Sequence, residues 1–244
     1  MSFDPSEFGI PTQEWGPNAV TCGYVEAKER RVMAVGVDPA SLVDYCGICV
    51  MESVELPAFD EAGSPILDNL RQRLTAPRYE IRNLRRLPHG LSWPQIVSEV
   101  ARLMSHPEIA PSAQLVLDAG GLGGVFYDLC VSAGLRNIVG VKSTGSEGKE
   151  RYIPGGYSVG KTQLVNNLRT VLETGKLLIP RDLPESKTFL EELRSFSLRI
   201  SASGHPSFNS ASGAHDDLIS AACLCCFALM PRKDGEWQVE SLSL

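Results

Sequence analysis

The chain has 244 residues, of which 43% are hydrophobic and 21% charged, and its formal net charge is -6 at pH 7. That length supports one sizeable core, and the acidic balance excludes a protein that coats DNA through charge alone, because non-specific affinity comes from neutralising phosphates. No segment approaches the roughly 18 uninterrupted apolar residues of a membrane span, and Met1 to Pro5 lacks the basic start and apolar core of a secretory signal, so a cytoplasmic protein without a membrane partner is expected.

Residues 1–30 carry Pro5, Gly9, Pro11, Gly16, Pro17 and Gly23 with little periodicity. They read as an extension or linker, which leaves 31–244 as the folded domain. Val32 to Val37 is continuously apolar, as in a strand buried on both faces, and it ends at Asp38; Tyr45 to Met51 is a second strand. Tyr79 to Leu87 alternates apolar residues with arginines and reads as a third, more exposed strand. The run Arg71, Arg73, Arg78, Arg82, Arg85 and Arg86, interrupted only by Glu80, suits either a solvated strand face or a track for DNA phosphates. Ser92-Trp93-Pro94-Gln95 is a capping box with proline in the first turn, and Trp93, Ile96, Val97, Val100, Leu103 and Met104 follow at helical spacing, which predicts a helix over 93–105.

The strand Gln114 to Asp118 then enters a glycine-rich stretch, Gly120 to Gly124, followed by a short helix closed by Gly134 and a strand from Asn137 to Val141. Leu164, Leu168, Val171 and Leu172 mark a helix ending at Gly175, and Leu177 to Pro180 is a short extended piece. A helix over 186–196, a strand over 197–201, a loop rich in serine and glycine, and an apolar helix over 216–230 opened by Asp216-Asp217 complete the chain. Three strands in succession followed by alternating helix and strand is a mixed α/β order.

If the strand ending at Asp118 returns by a right-handed crossover to lie parallel beside the strand ending at Asp38, both carboxylates reach one sheet edge. The last helix, with its N-terminus toward that edge, adds a third acid. Taken singly, acids at strand ends and in first helical turns are ordinary turn formers and dipole partners. Brought together they repel unless a cation compensates them, and two magnesium or manganese ions about 4 Å apart can activate water and stabilise the leaving oxygen in phosphodiester hydrolysis. Successive helical residues point about 100° apart, so the two adjacent acids should not contribute equally. Asp217 is expected to be the ligand, with Asp216 a second contributor or a charge on the helix N-terminus. His215 either orients a water or touches a phosphate, or it simply caps the helix. Lys142 and Lys161, with Arg82 and Arg85, are candidates for DNA phosphates, whereas Asp44 and Asp128 read as solvated or local hydrogen-bonding groups.

Two further patterns point elsewhere. Gly155-Gly156-Tyr157-Ser158-Val159-Gly160-Lys161-Thr162 satisfies the phosphate-loop spelling, but Lys149 to Pro154 before it is polar and ends in proline, where that mechanism needs a strand. The stretch Asp118 to Gly124 misses the dinucleotide fingerprint because Phe126 stands where its last glycine should be. Seven cysteines read as buried hydrophobes of a reducing compartment. Cys46/Cys49 and Cys223/Cys226 have zinc spacing, but the first pair lies in a predicted strand, where i and i+3 face opposite ways, and the second in a buried helix.

Gly213-Ala214-His215-Asp216-Asp217-Leu218-Ile219-Ser220-Ala221-Ala222 resembles the His-Asp-Asp-Leu helix opening of the C-terminal nuclease domain of large terminase subunits from tailed phages and prophages. Val37 to Ala40, Leu117 to Gly123, Val159 to Val165, Leu177 to Pro180 and Ile200 to His205 are similar to segments of the same family, so the resemblance runs from about Val32 to Met230. It implies a ribonuclease H-like fold, a mixed central sheet of three antiparallel strands followed by parallel strands, flanked by helices. It also implies a metal-dependent endonuclease that binds two Mg2+ or Mn2+ ions and cuts concatemeric viral double-stranded DNA in the host cytoplasm. By position Asp38 matches the first-strand acid, Asp118 the acid after the fourth strand and Asp217 the helix acid. Where the family often has a second acid three residues later, this chain has Ser220. The resemblance puts Val159 to Val165 on a helix start, and it implies a packaging ATPase, a small terminase subunit and a portal as partners. An ATPase does not fit in the 30 residues before the core, so either the domain is excised or the ATPase lies on another polypeptide. The alternatives are a junction resolvase-like nuclease on the same fold, a non-catalytic component of the packaging motor, and a nucleotide hydrolase using Lys161.

Overall fold

The structure is a computed structural model that describes residues 31–39, 45–60, 62–67, 74–109, 113–145, 150–200 and 216–231, with the backbone alone over 195–200. Two compact units are present. The smaller includes Pro57–Thr75, and the larger includes the rest of the described chain.

In the larger unit the strands are β1 (Arg31–Asp38), β2 (Cys46–Pro57), β3 (Thr75–Leu87), β4 (Ala113–Asp118), β5 (Ile138–Thr144), β6 (Arg151–Ile153), β7 (Gly156–Gly160) and β8 (Leu177–Leu178). The outer ends of β2 and β3, Pro57 and Thr75, already belong to the smaller unit. The strands form one sheet in the order β6-β7-β5-β4-β1-β2-β3-β8. β1 is antiparallel to β2 and parallel to β4; β4, β5 and β7 run parallel, and β6 is antiparallel to β7. This is the mixed sheet expected of the sequence.

The helices are α1 (Trp93–Met104), α2 (Gly123–Ser132), α3 (Lys161–Glu173), α4 (Ser186–Ile200) and α5 (Asp217–Leu229). Helix α1 starts where expected, with the Ser92 N–H donating to Gln95 Oε1 at 2.8 Å. Two cores result. Val35, Val37, Cys46, Ile48, Val50, Leu115 and Leu117 pack with α1 and α2 on one sheet face. Ala34, Cys49, Met51 and Val116 pack with α3, α4 and α5 on the other. The period-two alternation of strand side chains therefore assigns each residue of β1, β2 and β4 to a face, and apolar residues on both faces explain why β1 reads as an unbroken run.

The same alternation separates the cysteines with zinc spacing: Cys46 lies in one core and Cys49 in the other. Helix α5 is apolar nearly all round because it is buried nearly all round, and Cys225 joins it to the sheet. Its Sγ accepts from the Gly36 N–H at 3.1 Å and lies 3.3 Å from the Cys49 carbonyl oxygen.

Two expectations need correction. Over 197–200 a helix takes the place of the strand expected over 197–201, because α4 continues to Ile200; residue 201 lies outside the described residues. Ser195 to Ile200 alternates polar and apolar residues as a strand would, yet adding a residue to a formed helix costs far less than starting a new element. The polar segment before Gly155 carries a short edge strand, β6, and the phosphate-loop spelling itself is β7 running into α3. Gly155 and Gly156 lie at the β6–β7 turn, so no phosphate-cradling loop forms there.

In the smaller unit, Asp60 Oδ1 accepts from the Ala62 and Ser64 N–H groups at 3.0 and 2.8 Å and closes a turn, while Ile66 and Leu74 extend a backbone ladder with Ala58.

Candidate metal centre

Asp38 and Asp118 arrive together through strand register. Val37 pairs with Leu117 in the parallel β1–β4 ladder, so the next residue on each strand is an aspartate, at the same C-terminal edge of the sheet. Ala34 and Val116 lie on the face covered by α5, and Asp38 and Asp118 are separated from them by even numbers of residues. Both carboxylates therefore rise on the α5 side.

Helix α5 supplies the third acid by lying flush on the sheet. A Cβ placed on Gly36 would overlap the Ala221 carbonyl oxygen, and one on Gly47 would overlap the carbonyl oxygen of Asp217. Gly47 is the register partner of Asp38, so the first turn of α5 sits beside the end of β1. Asp217 is 6% exposed, whereas Asp216 is half-buried at the N-cap and makes no capping bond with its side chain. The Ser220 hydroxyl, one turn further along α5, donates to the Asp38 carboxylate.

The glycine-rich stretch after β4 holds Asp118. The Gly120 N–H donates to Asp118 Oδ1 at 2.7 Å, and Gly121 turns the chain at φ 51°. Gly123 opens α2 so close to the Asp118 carbonyl that a side chain there would collide with it. These glycines serve a tight strand-to-helix turn that aims a carboxylate.

Electrostatics tie the acids together. Burial, then the charges of Asp118 and Asp217, hold the Asp38 carboxyl well above the usual carboxylate range; the Ser220 hydrogen bond opposes this, and Asp216 adds the smallest upward push. Asp38 as a residue is half-buried, but its carboxyl is enclosed enough for burial to lead. Burial also raises Asp118, opposed by the Gly120 hydrogen bond and the nearby Lys161 ammonium. Asp217 thus acts on Asp38 more strongly than Asp216 does.

Glu192 of α4 is a site residue that sequence reasoning missed. It is 6% exposed, and its Oε2 accepts from the N–H groups of Leu218 and Ile219 at 3.2 Å each. Burial pushes its carboxyl up to about 8, with the Asp217 charge adding to the rise and the two backbone bonds and Arg86 opposing it. Its signal was available: Glu192 follows Phe189 by three residues, placing a carboxylate on the apolar stripe of an amphipathic helix.

The remaining candidates fall elsewhere. Arg82 pairs with Glu80 at 2.8 Å and lies 3.8 Å from Glu52; Arg85 lies 4.0 Å from Glu99, and Arg86 lies 3.7 Å from Glu185. The arginine face of β3 is thus largely paired within the protein. Lys161 begins α3 near Asp118. Lys142 is exposed, one residue past Val141, the register partner of Asp118, and Asp128 is exposed on α2. Asp44, Arg71, Arg73, His205 and His215 lie outside the described residues.

Among the described residues no group of three His, Cys, Asp or Glu side chains is arranged to hold an ion unaided. Magnesium asks for less, since it takes one or two carboxylates and keeps waters and phosphate oxygens as its other ligands. Oxygen donors crowded enough to raise one another's proton affinity suit such an ion, because a cation relieves their repulsion. The donor set therefore fits a hard divalent metal.

No protein-family model matches the chain. Over 148 residues it is 29% identical to the terminase large subunits of Thermus phage G20c and Thermus virus P23-45, an alignment that covers 60% of this chain and 26% of each relative. The chain thus matches about a quarter of the length of those proteins. The crystal structure of the large terminase nuclease from thermophilic phage G20c superposes with a TM-score of 0.52 at 23% sequence identity, covering 83% of both chains. The mixed sheet with helices on both faces is the fold the two structures share. By sequence the chain is similar to part of terminase large subunits, and by fold it resembles a terminase nuclease.

Proposed function

We propose that the chain is the nuclease of a viral DNA-packaging terminase, a divalent-metal-dependent endonuclease that cuts concatemeric double-stranded DNA by phosphodiester hydrolysis. One observation carries this reading: on a fold like that of a terminase nuclease, the Asp38 carboxyl feels Asp118 and Asp217 together. Residues 31–244 constitute the nuclease domain in this reading, with 1–30 as its extension. The host cytoplasm is its compartment. A packaging ATPase, a small terminase subunit and a portal are the partners that homology to a large subunit suggests.

Asp38, Asp118 and Asp217 would hold two Mg2+ or Mn2+ ions. When bound, such ions lower the pKa of an attacking water and stabilise the departing oxygen. The chain's own part is to orient the donors: Gly120 fixes one oxygen of Asp118, Ser220 hydrogen-bonds Asp38, and close packing at Gly47 seats the α5 turn that carries Asp217. Asp216 contributes charge at the helix N-cap, and Lys161 keeps Asp118 readier to ionise. With the β3 arginines mostly paired and the net charge negative, DNA must be held locally, by Lys142 at the same edge and by other packaging subunits.

Nicking of supercoiled plasmid in magnesium or manganese tests this. Cleavage should disappear in Asp38→Ala and in Asp118→Ala. Unchanged cleavage in both would remove the site.

A further inference from the structure

Helix α5 begins without the usual cap. The side chain of its N-cap residue, Asp216, makes no capping bond, and the adjoining residues to 215 lie outside the described chain. The groups that need satisfying are the N–H groups of the first turn, which have no partner within the helix. Two of them, at Leu218 and Ile219, donate to one oxygen of Glu192, which arrives from α4 more than twenty residues earlier. Both donors directly follow Asp217, and Leu218 and Ile219 are themselves buried in the core.

Glu192 does not float. Its helix is anchored to β3, because Glu185 just ahead of α4 lies 3.7 Å from Arg86, and the Arg86 guanidinium also sits 4.6 Å above the Tyr45 ring. Phe189, one turn before Glu192, is completely buried in the core that α5 shares. A carboxylate in such a place is costly to bury unless it is well hydrogen-bonded, so a purely packing role would favour leucine or methionine. What the carboxylate contributes, and they would not, is a pair of acceptor bonds at the turn carrying Asp217.

We propose that Glu192 is a positioning residue: by capping the first turn of α5 from α4, it sets where the Asp217 carboxylate stands relative to Asp38 and Asp118. The inference rests on the metal-centre reading above. It gives α4, which contributes none of the three acids, control over the geometry of the site. An outer group that orients a ligand typically changes metal affinity by about 10- to 100-fold when removed, and that is the effect expected here.

The test uses the full chain and Mn2+ alone. Bound Mn2+ is measured without DNA from the loss of the free-ion electron paramagnetic resonance signal, alongside Tm and the Mn2+ dependence of plasmid nicking. Glu192→Ala should weaken Mn2+ binding about 10-fold or more, with nicking restored at saturating Mn2+. Glu192→Gln, which keeps an acceptor oxygen at the same reach, should stay within about three-fold of the original protein. Should Glu192→Ala fail to fold, Glu192→Asp, which withdraws the acceptor by one methylene, should show the same weakening. A lower Tm with unchanged Mn2+ affinity in the Ala or Asp variant would make Glu192 a stability cap only and overturn the proposal. So would a Gln variant as weak as the Ala variant. If the original protein binds no Mn2+ and cleaves nothing, the nuclease reading fails first and this inference with it; if it does both while Glu192→Ala matches it, only the inference fails.

Discussion

Gly47 touches Asp217 through backbone: the position a methyl group would take on Gly47 is occupied by the Asp217 carbonyl oxygen, with the Asp217 Cβ 3.1 Å away. Both atoms belong to rigid elements, so neither can step aside by rotating a side chain. Gly47→Ala should therefore destabilise the fold by about 1–3 kcal/mol and lift the first turn of α5 from the sheet. Cleavage at limiting metal should fall more steeply than at saturating metal, read as a metal titration of nicking next to a thermal melt.

Replacement of Asp38 should split activity from stability. Asp38→Asn should abolish cleavage, by more than about 100-fold, since the proposed metal centre would lose one of its three carboxylates outright. Without divalent ions the same change should raise Tm by a few degrees, because it removes a carboxyl that burial and its acidic neighbours disfavour in the charged form. A melt in chelator at neutral pH checks it.

Lys161 offers a change of pH profile without loss of chemistry. Its ammonium favours the ionised form of Asp118. In Lys161→Met the rising acidic limb of the cleavage profile should move to higher pH, by about one unit or less, with the plateau retained. Complete inactivity at every pH would instead place Lys161 among the groups that bind DNA or the reacting phosphate.

Glu192 makes folding itself pH-dependent. Its carboxyl ordinarily titrates at 4.5 and is pushed up to about 8 in the fold. Between those values the folded chain keeps a proton that the unfolded chain releases, so this contribution to stability is full at low pH and is lost as pH rises through the folded value. Tm of the metal-free protein should decline from about pH 5 to about pH 8, and Glu192→Gln should flatten that decline.

The parts of the site set by local rules were legible in the amino-acid order. Val32 to Val37 and Leu115 to Leu117 announce central strands, and the crossover rule brings their terminal acids to one edge, as the β1–β4 register does. The parts set by non-local pairing were not. Glu192 reveals itself as a helix cap only once α4 and α5 are packed. The arginines of β3 look like a phosphate track until Glu52, Glu99 and Glu185 are brought beside them from elsewhere in the chain. The end of α4 was misread because six alternating residues carry a strand period whether or not a helix is already running through them.

The Cys225 sulfur, wedged among the Gly36 amide and the Ala34 and Cys49 carbonyls, turns the helix bearing Asp217 into its own reporter. Burial holds the neighbouring Cys223 and Cys226 thiols well above their ordinary range, so an alkylating reagent finds neither access nor thiolate while α5 is seated. Labelling of these three positions can proceed only during excursions in which the helix leaves the sheet. Its rate, followed by mass spectrometry, is a clock for how often the acidic centre comes apart in otherwise native protein, and a cation that bridges the sheet edge to α5 should slow that clock.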